Sequence, residues 1–419
     1  MPQPATASVA DLARSGGIRP ALEWFRKERT WINEQHLKLC RIPAPTFFEQ
    51  KRAEWMAESF RSLGWEAKID RAGNVVGSAV AGSVAGSKDK RRDDSTVAVT
   101  AHLDTVLSPR TPEDIKVAGD GRMLGPGVSD NGAGLAGLLA LAACWNAVGP
   151  LGDGRSAPLL VANVGEEGEG NLCGMRYLCR TSSSRPHTFL VLDGPGTERI
   201  TSRALACRRF DITVTGPGGH SWSDHGVANP VHMLSRAITL FNDGMLGFNA
   251  APRYSYNFGL IQGGTSINAI PTEARAKVDL RSESRERMEG MAALLATVVD
   301  EALSAENLRA SGGRLTARVR EIGSRPGGAL PEGAAILGCL QAVDEYLGIR
   351  AGLDCSSTDA NIPLSLGLPA LSVGAGGQGG GAHTPAEWYQ PEGRDLGLRR
   401  ILLTLCLLLD GAAQSFPDA

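Results

Sequence analysis

Residues 95–106 read STVAVTAHLDTV, an apolar run that ends in a histidine and, two positions on, an aspartate. The run reads as a strand whose carboxyl end presents His102 and Asp104. Outward from it the pattern repeats. GPGVSDNGAGLAGLLALAACWNAV (125–148) is a glycine-rich loop feeding a helix, with Asp130 in the loop. APLLVANVGEEGEG (157–170) is a buried strand ending in acids, and HTFLVLDGPG (187–196) is a strand ending in Asp193. Strand, helix, strand, helix predicts an α/β fold with a mainly parallel sheet flanked by helices. In such sheets function collects beyond the carboxyl ends of the strands, and all four segments place their acid or histidine there.

The chain has 419 residues, too many for one ordinary core, so two domains are expected. The α/β region opens with a helix over 20–43, a two-proline loop at 41–50, a helix over 49–63 and short strands at 65–70 and 74–80. The stretch GSVAGSKDKRRDDS (82–95) is polar and charged and predicts a solvated hairpin connection. Near 205 the pattern changes. Strands at 204–216, 253–264, 273–283 and 313–323 interleave with helices at 229–244 and 284–305, the β-α-β-β-α-β order of a ferredoxin-like unit. The expected division is 1–205, an inserted α+β domain at 206–318, and 319–419. The last part resumes with a helix at 333–347, a Ser/Asp-rich loop at 354–361, the strand PALSVGA (369–375), the loop GAGGQGGGAHTPAEW (374–388) and a closing helix at 392–413.

Net charge is −2, which gives no reason to expect nucleic acid or an anionic membrane as partner. No stretch approaches 18 apolar residues, so no membrane span is expected, and the opening twenty residues lack the pattern of a signal peptide. The eight cysteines are scattered without a C-x-x-C pair, which fits reduced thiols and a cytoplasmic location.

Five segments carry candidate metal ligands: His102 and Asp104, Asp130, Glu166 and Glu167, Asp193, and His383. All but His383 have an ordinary structural reading. His102 suits a strand end, Asp130 a helix cap, the glutamates a solvated turn and Asp193 a turn before Gly-Pro-Gly. Together, residue types and order suit two metal ions roughly 3.5–4 Å apart, a site that makes hydroxide from water at neutral pH. His102 and Asp104, at i and i+2, can pair so that the carboxylate fixes the imidazole tautomer. Consecutive Glu166 and Glu167 point in different directions, so one can bind metal while the other moves protons. No G-x-S-x-G elbow occurs, and no cysteine has a catalytic context, which argues against a serine or cysteine nucleophile.

The set AHLDT, GPGVSDNGAG, GEEGEGNLCGMRYL, LDG, GPGGHS and AHTPAEW resembles the di-zinc metallopeptidase and amidohydrolase family of glutamate carboxypeptidase G, peptidase T, aminoacylase and succinyl-diaminopimelate desuccinylase. The motifs span about 30 to 415, and STDANIPLSLGLPA with GGGAHTPAEW is similar to the peptidase-T-like branch. The resemblance implies a phosphorylase/hydrolase-like catalytic domain with a ferredoxin-like lid and dimerisation domain. It implies that His102 and Asp193 bind one metal, Glu167 and His383 a second, and that Asp130 bridges, across a cis bond to Asn131. Glu166 would be general base and acid, Asp104 the partner of His102, and His220 an oxyanion donor acting across a homodimer. Asn268, Arg281 and Arg325 would hold the substrate's carboxylate end. The implied cofactors are two zinc ions, with manganese or cobalt as alternatives, and the implied substrate is a small peptide or N-acyl amino acid. A member that kept the fold and lost turnover, serving as a binding protein, is the rival reading. His36, His187, His225 and His232 match no motif and read as structural or surface residues.

Overall fold

The runs Val97–His102, Leu159–Asn163 and Thr188–Leu192 lie side by side, with Val97–His102 parallel to both neighbours. All six residues of Val97–His102 are buried, as a central strand covered on both faces requires. The computed structural model describes residues 6–79, 97–148, 157–181, 186–249 and 251–411. The connection expected at 82–95 lies outside them. The described chain divides into two units, Met1–Ala204 with Gly328–Ala419, and Leu205–Gly327.

In the first unit the main sheet has nine strands among the described residues and is mixed. Ala370–Val373 extends it in parallel beside Thr188–Leu192. Val75–Ala79 joins antiparallel to Leu159–Asn163, and Trp65–Ile69 pairs with it at that edge. At the other edge, Arg199–Ala204 runs antiparallel to Ala370–Val373 and parallel to Gly352–Ser356. The Gly352–Ser356 strand overlaps the loop expected at 354–361. Its residues are polar or exposed at a sheet edge, so no apolar alternation marks it. The helix expected over 20–43 is two helices, Ile18–Lys27 and Arg29–Cys40. Glu28 leaves the helical region at φ −96°, ψ 20°, and the chain re-aims so that both segments bury a face. Gly132–Val148 packs its almost wholly apolar sequence within the core, and Arg394–Gly411 closes the unit.

The second unit is a four-stranded antiparallel sheet, in the order Tyr254–Gly263, Glu273–Ser282, Ala206–Thr215, Thr316–Arg325. With helices Pro230–Met245 and Arg285–Arg309 this is the ferredoxin-like arrangement. The expected boundary at 318 falls inside the strand Thr316–Arg325. Pairing with Ala206–Thr215 carries that strand on to Arg325, so the unit ends at Gly327. Alternation places Phe210, Ile212 and Val214 with Ala276, Val278 and Leu280 in its own core.

Arg400 is fully buried in the closing helix and forms a two-pronged ion pair with Asp344, both contacts at 2.6 Å. Removing one member of such a pair leaves an uncompensated buried charge. Arg400→Met is therefore expected to destabilise the first unit by about 3–5 kcal/mol in urea unfolding at neutral pH. A change below about 0.5 kcal/mol, the scale of surface substitutions, would show that the pair carries no such burden.

Candidate metal centre

Beyond Asn163 the chain leaves the sheet, and its amides need new partners. Four consecutive amides find them in buried side chains. Val164 N donates to Asn74 Oδ1 at 3.1 Å and Gly165 N to Glu49 Oε1 at 3.0 Å. Glu166 N donates to Asp104 Oδ1 at 3.0 Å and Glu167 N to Asp104 Oδ2 at 2.8 Å. Thr46 Oγ1 also donates to Asp104 Oδ2, at 2.9 Å. Arg52, fully buried, donates to the carbonyl oxygens of Ile42 and Leu103 and fixes the stretch between His102 and Asp104.

A second acid does the same for the Asp130 loop. Glu387 accepts from Gly127 N at 2.7 Å and from Ser129 N and Asp130 N at 2.8 Å each. The Asp130–Asn131 peptide bond is cis, as expected. Asn131 ties the loop to the end of the Asp193 strand, donating to Leu192 O at 2.8 Å and accepting from Gly194 N at 3.1 Å. His36 is a structural residue, as expected. It is buried, with Nε2 2.7 Å from Val128 O and Nδ1 2.7 Å from Arg394.

These supports bring the five candidate ligands together in two groups that share Asp130. His102, Asp130 and Asp193 form one, and Asp130, Glu167 and His383 the other, with potential ligand atoms within 4.8 Å of one another in each. Asp130 Oδ1 lies 3.1 Å from His102 Nε2 and Oδ2 lies 3.1 Å from His383 Nε2. His383 Nε2 is 2.8 Å from Glu167 Oε1, and His102 Nε2 is 4.0 Å from Asp193 Oδ1. Glu166 is buried and makes a third group with His102 and Glu167.

The expected His102–Asp104 pairing takes a different form. Asp104 lies past the end of the strand, and its backbone carbonyl, 3.0 Å from His102 Nδ1, is the nearer acceptor. The carboxylate is 3.5 Å from Nδ1 and is committed chiefly to the amides of Glu166 and Glu167. The tautomer is fixed either way. With Nδ1–H directed at Asp104, the Nε2 lone pair faces the Asp130 carboxylate, acceptor against acceptor. Only a proton or a metal cation satisfies that meeting.

The titration of these groups shows the same demand for positive charge. Burial works to lower the His102 pKa, but Asp104 and Asp130 outweigh it and hold it well above the usual imidazole range. Hydrogen bonds donated to the Asp130 and Glu167 carboxylates raise His383 to about 10. Burial, and then the neighbouring Asp130 carboxylate, push Asp193 up to about 7. A donor set of three carboxylates and two imidazoles suits divalent ions of the zinc, manganese or cobalt kind.

The remaining candidates lie in the second unit. His220 lies in a short antiparallel ribbon of Gly219–His220 with Ala269–Ile270, which Asn268 adjoins, and Ser221 N donates to Asn268 O at 3.0 Å. His220 Nδ1 accepts from Trp222 N at 3.2 Å and from Ser223 N at 3.4 Å, which leaves the ring proton on Nε2. Arg281 and Arg325 flank Cys207 in the second unit's sheet. Arg281 Nε donates to Asp279 Oδ2 at 2.7 Å, and Arg325 is buried. Sequence reasoning passed over Thr46, Glu49, Arg52 and Glu387, and named Asn131 only for its cis bond. For Glu387 a signal existed: an acid four residues after His383 in a glycine-rich loop.

Glu387→Gln keeps the shape and puts an amide NH2 against backbone N–H groups. Residues that orient ligands typically change metal affinity 10–100-fold. A loss of that size in competition with a chelator is expected; unchanged affinity would mean that the Asp130 loop holds its shape without Glu387.

Comparison with known proteins bears on the fold and the domains. A model described as the peptidase dimerisation domain matches residues 207–307, and one for peptidase family M28 matches 80–221. The uncharacterised protein YqjE of Bacillus subtilis (strain 168) is 22% identical over 82% of this chain and 89% of its own length. The cytosol non-specific dipeptidase of Escherichia coli (strain K12) is 27% identical over 59% of this chain, which spans about half of that enzyme, 52%. Among solved structures, the aminopeptidase PepT of Bacillus cereus superposes with a TM-score of 0.66 at 19% identity, covering 91% of this chain and 98% of that one. No described helix is long and apolar enough to cross a membrane. The chain thus carries a peptidase dimerisation domain inserted in a mixed α/β unit, and it shares its two-domain fold with solved peptidases.

Proposed function

We propose that the chain hydrolyses an amide bond in a small peptide or an N-acylated amino acid, using two divalent ions, zinc first and manganese or cobalt as alternatives. The observation that most supports this reading is the sharing of Asp130 between two ligand groups, one carboxylate oxygen toward each imidazole. In this scheme His102 and Asp193 hold one ion, Glu167 and His383 the other, and Asp130 bridges. When bound, the ions supply Lewis acidity, which brings the pKa of a water near neutrality. Glu166 takes the proton of the attacking water on a carboxylate oxygen and returns it to the leaving nitrogen. Asp104 holds the two glutamates apart by their amides, so that one ligates while the other stays free to move protons. His220, with its proton on Nε2, donates to the developing oxyanion. We assign the substrate's carboxylate end to Asn268, Arg281 and Arg325, Arg281 exchanging Asp279 for the substrate.

Elemental analysis of metal-saturated protein is expected to give two divalent ions per chain. Glu166→Ala should keep both and lose about 10²–10⁴-fold in kcat, whereas Asp193→Ala should lose metal. An Asp193→Ala protein with two ions and full rate would remove Asp193 from the centre.

The match to a peptidase dimerisation domain supports a homodimer; in our reading His220 serves the site of the other subunit. Mixing His220→Ala with Glu166→Ala would then create one intact site per mixed dimer. Random exchange predicts recovery to about a quarter of wild-type activity, given the self-complementary interface of a two-fold dimer. No recovery after proven exchange would mean that His220 acts within its own chain or not at all.

A further inference from the structure

The loop Ala44–Glu49 carries two adjacent aromatic side chains, Phe47 and Phe48, that are 61% and 73% exposed. Everything around them in the chain is fastened. Thr105 N donates to Ala44 O at 3.0 Å, and Pro45 bridges to Thr105. Thr46 Oγ1 donates to the Asp104 carboxylate that also holds the amides of Glu166 and Glu167. Glu49 is buried, and its carboxylate accepts from Gly165 N and from the amide of Phe47 itself. A methyl group on Gly170 would come within 2.7 Å of Thr46 Cγ2, so the loop lies directly on the glutamate segment. Neighbouring Cα atoms are about 3.8 Å apart, which puts Phe47 one step from a hydroxyl that touches Asp104.

Phe47 also has φ +76°, a region that bulky residues avoid and glycine adopts freely. The other described non-glycine residues at positive φ are Asn171, Leu172 and His383, a proposed ligand and two residues of the glutamate segment. A loop that only had to turn would be served better by glycine at 47. The chain instead places a ring there and clamps the strained backbone on both sides. Such conformations persist where the surroundings over-determine them, and they gather at working sites.

We infer that Phe47 and Phe48 form an apolar platform at the rim of the ligand cluster, which receives an apolar side chain or acyl group next to the scissile amide. The inference rests on the amide-hydrolase reading above and narrows its substrate class. The rings offer no hydrogen-bond partner, and the side chains that anchor their loop through Thr46 and Gly165 N, Asp104 and Glu49, are acids. Acidic substrate side chains are therefore disfavoured and neutral apolar ones preferred.

The test compares wild type with a Phe47→Gly/Phe48→Ala double variant, both metal-loaded. Each is assayed on matched pairs of di- and tripeptides and N-acyl amino acids that differ by leucine or glycine at one position. Phe47→Gly removes the ring while suiting the backbone at +76°. The ratio of kcat/KM, leucine over glycine, is expected to fall about tenfold or more, mainly through KM, while metal content is retained. Phe48→Leu should keep most of the ratio. If the double variant fails to fold, Phe48→Ser alone carries the test and should move the ratio the same way. An unchanged ratio overturns the platform and leaves the hydrolase reading standing. An equal loss on both substrates with a shift from dimer to monomer overturns it in favour of a subunit contact. No turnover of any pair by wild type overturns the hydrolase reading and the platform with it.

Discussion

The carboxylates of Asp130, Glu167 and Asp193 converge on two imidazole nitrogens, and their mutual repulsion is the constraint around which the first unit is organised. Like charges at this range cannot coexist without compensation. The protein nevertheless holds them in place with further buried acids. Asp104 and Glu387 each accept several backbone amides, and the segments they grip carry Glu166, Glu167 and Asp130. Those hydrogen bonds fix geometry while adding more negative charge nearby. The arrangement suits a site meant to hold divalent cations and fits no purely structural purpose equally well.

The fold serves this constraint by delivering each ligand from a strand end or a clamped loop. Parallel pairing of Val97–His102 with Leu159–Asn163 sets His102 opposite Asn163, three residues before Glu166. Leu103 N donates to Asn163 O at 2.7 Å, so the two strand ends depart together. Asp193 N donates to Val373 O at 3.0 Å, which anchors a third end to the neighbouring strand. A site built on such elements holds its geometry better than one built on free loops.

Much of this was legible in the sequence, and the reason is chemical. His102, Asp130, Glu166, Glu167, Asp193 and His383 are polar residues placed where apolar runs stop, so they stand out. The ferredoxin-like order of the second unit was legible from its alternating strands Tyr254–Gly263 and Glu273–Ser282 and from its two helices. The supports were hidden. Glu387 grips amides more than 250 positions away, and Glu49 grips one 116 positions away. Hydrogen bonds to backbone leave no complementary residue type at the far end for a reader to notice. Arg52 was missed on the same ground, and Thr46 because its partner Asp104 is 58 positions away. The strand Gly352–Ser356 was missed because an edge strand needs no apolar face, and the break at Glu28 because both flanking helices share a similar apolar spacing. The partner of His102 Nδ1 was misjudged because alternation along a strand says nothing once the strand has ended at His102.

The most direct test of the central claim is anomalous diffraction from crystals grown with zinc, recorded on both sides of the zinc edge. The account predicts two peaks per chain, one between His102 and Asp193 and one between Glu167 and His383, with an oxygen of Asp130 in reach of each. A single peak, or a peak ligated by Glu166 in place of Glu167, would contradict it.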